Sequence, residues 1–229
     1  MIERLIGSMA RCRVAALVLA TVATPLTAQQ VSVPQGCEPI VTVAKKSCIA
    51  TTIFDCGSHF EEAAFSHGQP AYTHVFNADW AFVEYRLGDD LRTIEIGFDD
   101  GRSITLPGLL EHGSATSDRP AVIGSGALKG LKYRLHSEAA LGDETLDLSG
   151  HSFRKGTLHR GFVRQQGENS LDFEFDIYVS EELNLFIEGA YSRKTAATDP
   201  EWLEQSPLSL YFPGDPGFLS TQLDEGCDG

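Results

Sequence analysis

The feature that most constrains this chain is a strict two-residue alternation: Leu171, Phe173, Phe175, Ile177 and Val179 are apolar, and Asp172, Glu174, Asp176 and Tyr178 stand between them. Successive side chains of a strand point to opposite faces, so this pattern makes a strand with one buried and one wet side. Leu183, Leu185, Ile187 and Gly189 resume the alternation after Ser180-Glu181-Glu182, and residues 171–191 read as an antiparallel hairpin. A second hairpin is expected from Leu91 to Phe98, turning at Asp99-Asp100-Gly101 and returning from Arg102 to Leu106. Further strands are expected at 40–44, 49–55, 74–87, 131–140, 144–149 and 157–165. The short connections between them favour an antiparallel meander over parallel units joined by helices.

Helix is expected to be minor. Ser58 and Glu61 have capping-box spacing, with Phe60, Ala63 and Ala64 on one side before Gly68 and Pro70. Asp199-Pro200-Glu201 offers an N-cap, a proline in the first turn and an acid, and Pro207 ends that segment. The fold class is therefore mainly β: an antiparallel meander forming a curved sheet, half-barrel or sandwich, with one or two short helices.

The N-terminus reads as an export signal. Arg4, Arg11 and Arg13 precede an apolar run from Val14 to Ala23, and Pro25, Thr27 and Ala28 supply a break and small residues before Gln29. Cleavage is expected after Ala28, with Ala23 as the second choice, and the run is shorter than the roughly 20 residues a spanning helix needs. Residues 1–28 are thus a cleavable signal peptide and 29–229 a single exported β-rich domain, periplasmic or secreted. Cleavage leaves 15 basic and 31 acidic residues, a formal charge of −16. Such a field disfavours nucleic acid as a partner, and no second apolar run would make an integral membrane segment.

Four cysteines follow the signal: Cys37, Cys48, Cys56 and Cys227. An even count in an oxidising compartment reads as two disulfides. If 49–55 is one strand, Cys48 and Cys56 stand about 26 Å apart, beyond the roughly 6 Å that a bridge spans. A hairpin reversing near Lys45-Lys46 would set Cys37 opposite Cys56 and leave Cys48 for Cys227, although Lys-Lys makes a poor turn. The pairing stays open at this stage.

The candidate chemistry is sparse. His59, Glu61, Glu62, His67 and His74 cluster in sequence. On a helix, however, His59 and His67 would sit about 80° apart around the axis, whereas a zinc pair wants one face at spacing four. His59, His67, His74 and Glu61 are therefore weak metal candidates, zinc being the ion they would suit. Gly124-Ser125-Gly126 lacks the spacing of a nucleophile elbow and reads as a loop. Gly150-His151-Ser152 places neighbouring side chains on opposite faces. Acidic pairs are too common here to be diagnostic, and no catalytic residue is assigned. The aromatics Trp80, Phe82, Tyr85, Phe173, Phe175 and Phe186 fit either a core or the lining of an apolar site.

The sequence implies no cofactor. Its first functional reading is a non-catalytic domain binding a protein partner or an apolar ligand. The alternative is an envelope or extracellular hydrolase using carboxylates or a histidine-bound metal. A purely structural or inhibitory disulfide module is a third possibility that nothing in the sequence separates from the first.

Overall fold

The computed structural model describes residues 30–88, 92–97, 103–164, 170–195 and 199–227. The expected signal peptide and the Asp99-Asp100-Gly101 turn lie outside the described residues. The strands are β1 (Glu38–Lys45), β2 (Ile49–Asp55), β3 (His59–Ser66), β4 (Gln69–Asn77), β5 (Phe82–Leu87), β6 (Arg92–Ile96), β7 (Ser114–Ile123), β8 (Lys132–Leu148), β9 (His151–Arg164), β10 (Ser170–Ser180), β11 (Leu185–Thr195), β12 (Glu201–Leu203) and β13 (Pro207–Tyr211). One helix, α1 (Leu106–His112), stands between β6 and β7. Every pairing is antiparallel, in one 13-stranded sheet ordered β12-β11-β10-β9-β8-β7-β6-β5-β4-β3-β2-β1-β13.

This sheet curls into a half-barrel. Its two edge strands, β12 and β13, are separated in sequence only by residues 204–206, so the edges lie within about 14 Å of each other. That short link is stitched to the β1–β2 turn, where Lys46 N donates to Ser206 O at 3.0 Å and Ser47 Oγ donates to Glu204 O at 2.7 Å. The concave side holds one apolar core, including Val43, Ile53, Phe76, Leu135, Leu158 and Ile177.

The chain ends cover part of the convex side. Val31 N donates to Leu219 O, Leu219 N donates to Thr42 Oγ1, and Gln30 bridges to Ser220. Phe54 is buried in β2. Two disulfides fasten this arrangement, Cys37–Cys56 and Cys48–Cys227. The β1–β2 register pairs Glu38 with Asp55, which brings Cys37 beside Cys56. The reversal uses Ser47 and Cys48 in left-handed conformations (φ 58° and 56°) as well as Lys46, which resolves the difficulty of a Lys-Lys turn.

Several expectations are corrected. The segment after Ser58 is strand β3, with Phe60, Glu62 and Ala64 inward and His59, Glu61 and Ala63 outward. Glu62 is a charge at an inward position, and it hid the two-residue period. The segment at 199–207 contains the edge strand β12 instead of a helix, because Glu201–Leu203 pair with Tyr191–Arg193.

The expected strand at 74–87 is two strands. Asn77 Oδ1 accepts from Asp79 N (3.0 Å) and Ala81 N (2.8 Å), making a turn between them. The expected strands 131–140 and 144–149 are one, β8, whose register against β9 shifts between Leu141 and Thr145. Of the expected return strand from Arg102 to Leu106, Arg102 lies outside the described residues, residues 103–105 form no strand, and Leu106 opens α1. Thr105 Oγ1 caps this helix by accepting from Gly108 N at 3.2 Å, and Gly113 ends it in a left-handed conformation, φ 74°.

Candidate functional site

Charged residues occupy inward positions on five strands: Lys45 on β1, Glu62 on β3, Arg119 on β7, Arg160 on β9 and Glu188 on β11, all buried. His74 on β4 is 7 % exposed and joins them. A buried charge is tolerable only when paired and hydrogen-bonded, and curling of the sheet supplies the partners. Lys45 Nζ donates to Glu62 Oε1 at 2.9 Å and to Glu188 O at 2.8 Å. The His74 Nδ1 atom stands 3.4 Å from Glu188 Oε2 and 3.7 Å from Glu62 Oε2. Arg160 Nη2 pairs with Glu188 Oε1 at 2.5 Å, and Arg119 Nη2 donates to Phe82 O at 2.7 Å. The network thus ties β1, β3 and β4 to β9 and β11 across the interior.

Burial by itself raises the Glu62 carboxyl, but the Lys45 ammonium and then His74 outweigh it and lower the pKa from 4.5 to about 2. Burial, and then the nearby Arg160, lower Arg119 to about 10. The Tyr72 hydroxyl donates to Gln205 Oε1 at 3.3 Å; burial, with Glu62 and Glu188 nearby, pushes its pKa well above the ordinary value.

Beside this network, α1 closes a small chamber. Its walls include Trp80, Phe82, Leu158 and Phe186, its roof is Leu106 and Leu109, and its polar floor is Ser117, Arg119, Ser137 and Arg160. The free volume is about 20 Å³, room for about one water. Ser117, Ser137 and Arg160 are successive cross-strand partners on β7, β8 and β9, so they form one inward row. The Ser117 Oγ atom is buried and makes no hydrogen bond.

Trp80 is fixed at the chamber edge despite a left-handed backbone (φ 63°). Its ring stacks on Phe60 at 4.4 Å and its Nε1 donates to Asn184 O at 3.0 Å. Such strain persists where surrounding contacts over-determine it.

The sequence-predicted aromatics divide into groups. Trp80, Phe82 and Phe186 share the chamber. Phe173 and Phe175 stack at 5.8 Å near Tyr191. The Arg160 guanidinium joins these groups, lying 4.2 Å over the Phe82 ring and 5.3 Å from that of Phe175. Tyr85 stands apart, its ring 5.3 Å from that of His74.

Of the weak metal candidates only His59 and Glu61 are brought together. His59 and Glu61 meet at 3.5 Å on the outward face, where Arg86 also pairs with Glu61; His67 lies in the β3–β4 turn, and His74 faces inward. Among the described residues no three His, Cys, Asp or Glu side chains are arranged to hold a metal ion. Ser125 lies in the β7–β8 loop, and its Oγ accepts from Thr93 N at 2.9 Å.

Sequence reasoning missed Lys45, Arg119, Arg160 and Glu188. Their signal is a charge at an inward register position of a strand, legible only once the pairing is known. Comparison with protein families, with curated proteins and with solved structures finds no match to this chain. No described helix is long and apolar enough to cross a membrane, and the two disulfides fit an oxidising environment.

Proposed function

We propose that this chain is a non-catalytic exported domain, periplasmic or secreted, that takes an apolar ligand between α1 and the sheet. The observation carrying this reading is the chamber of Trp80, Phe82, Leu158 and Phe186, roofed by two leucines of the single described helix. Lifting Leu106 and Leu109 into water costs about 3–6 kcal/mol, and each methylene of a ligand placed there returns about 0.8 kcal/mol. An alkyl chain of eight or more carbons therefore outweighs the opening.

Native mass spectrometry of protein purified from its own compartment is expected to show a co-purifying lipid-sized mass. A ligand-free species that also fails to bind added alkyl chains would overturn the proposal. N-terminal sequencing of the same sample is expected to begin at Gln29, and a mature chain beginning at Met1 would overturn its export.

One observation favours the hydrolytic alternative: His74 faces two carboxylates, Glu62 and Glu188. That reading predicts hydrolysis of an envelope or extracellular polymer by the purified protein, abolished in His74→Ala. Binding without turnover is the outcome expected here.

A further inference from the structure

Resting on the apolar-ligand reading, we propose that the ligand is a long-chain monocarboxylate, its head held by Ser117, Ser137, Arg119 and Arg160 and its chain lying where Leu106 and Leu109 now sit.

The inward row Ser117–Ser137–Arg160 runs across β7, β8 and β9 at cross-strand spacing, and Arg119 stands two residues along β7 from Ser117 on the same face. All four residues are at least nine-tenths buried. Two guanidiniums and two hydroxyls thus converge on one chamber whose remaining walls are aromatic and aliphatic. A core that needed only to fill space would place apolar side chains in such a row.

Ser117 Oγ is buried without a hydrogen bond from or to another side chain or the backbone, and an acceptor oxygen in the chamber would give it a partner. Burial and then the nearby Arg160 disfavour the charged form of Arg119. Arg160 already pairs with Glu188 Oε1 on one side, and an anion at the chamber floor would relieve Arg119.

The chamber size selects the head group. With free volume for about one water, it suits a planar carboxylate, one of whose oxygens takes the water-sized space, better than a tetrahedral phosphate. Guanidinium geometry also matches the two oxygens of a carboxylate. The chain then extends along Trp80, Phe82 and Phe186, displacing the helix roof. Thr105 and Gly113, the capping residues of α1, are the points about which that displacement would be accommodated.

The test is isothermal titration of the mature, oxidised protein with dodecanoate, dodecanol and dodecyl phosphate. Dodecanoate is expected to bind at least about tenfold more tightly than either of the others, the scale of a charge-assisted hydrogen bond. Ser117→Ala/Ser137→Ala is expected to reduce that preference at least about fivefold. Arg160→Met should abolish it, and the serine variant keeps the test decisive if the arginine variant does not fold.

Equal binding of dodecanoate and dodecanol overturns the carboxylate proposal while leaving the apolar site standing. A preference for dodecyl phosphate overturns the choice of head group. Failure of all three to bind overturns the apolar-ligand reading itself. A dodecanoate preference untouched in the serine variant places the head elsewhere and also overturns the proposal.

Discussion

Removing the Lys45 ammonium while keeping Glu62 leaves a carboxylate buried without its strongest partner, and Lys45→Met is expected to destabilise the protein by about 3–5 kcal/mol in urea denaturation. Replacing both members, Lys45→Met with Glu62→Leu, is expected to recover most of that loss, because apolar residues of similar volume need no desolvated charge. The same pair sets an acid limit. The folded Glu62 pKa is depressed, so its stabilising effect is full above the unfolded value of 4.5 and disappears as pH falls toward about 2. Stability measured from pH 5 to 2 should therefore fall more steeply for the natural chain than for the double variant. At this scale the sequence was a poor guide. Lys45 and Glu188 are 143 positions apart, and nothing local announces that the Lys45 ammonium meets the Glu188 carbonyl.

Among the elements, α1 is the one whose local signals were present but overruled. Thr105, Pro107 and Gly113 are an N-cap, an early-turn proline and a C-cap, yet Ile104 and Leu106 also continue a strand-like alternation. The inward packing of Leu106 and Leu109 decides for helix. Thr105→Ala removes the bond to Gly108 N and should weaken α1 by about 1 kcal/mol. Hydrogen exchange of residues 106–112 should then speed up about fivefold with the sheet amides unchanged.

β3 presents the opposite case: a capping-box spacing at Ser58 and Glu61 gives way to strand pairing because β2 and β4 flank it on both sides. Gly156 on β9 carries a different constraint, since a side chain there would press on the Ala140 carbonyl oxygen of β8. Gly156→Ala is expected to cost about 1–3 kcal/mol, measurable as a lower denaturation midpoint.

At the scale of the whole molecule, the disulfides act on different lengths of chain. Cys37–Cys56 closes a separation of 19 residues within the first hairpin, and Cys48–Cys227 closes one of 179 that pins the C-terminal segment beside the β1–β2 turn. Loop-closure entropy assigns them about 3 and about 5 kcal/mol. Cys48→Ala/Cys227→Ala is therefore expected to destabilise more than Cys37→Ala/Cys56→Ala under the same denaturant. The larger loss should be accompanied by faster exchange in β13, whose sheet partner is β1.

The sequence by itself determined the class of this protein: strands with one apolar face and antiparallel order from short connections, with an even cysteine count that called for two disulfides but left their pairing to the structure. These follow from local period and chain reach, which act over a few residues. Only the tertiary structure decided which inward positions carry charge, where the sheet edges meet, and that Trp80, Phe82 and Phe186 share a chamber with Arg119 and Arg160. Those facts depend on how far a 13-stranded sheet curls and with what stagger. Curling sums small twists over the whole sheet and brings together side chains that no periodicity relates.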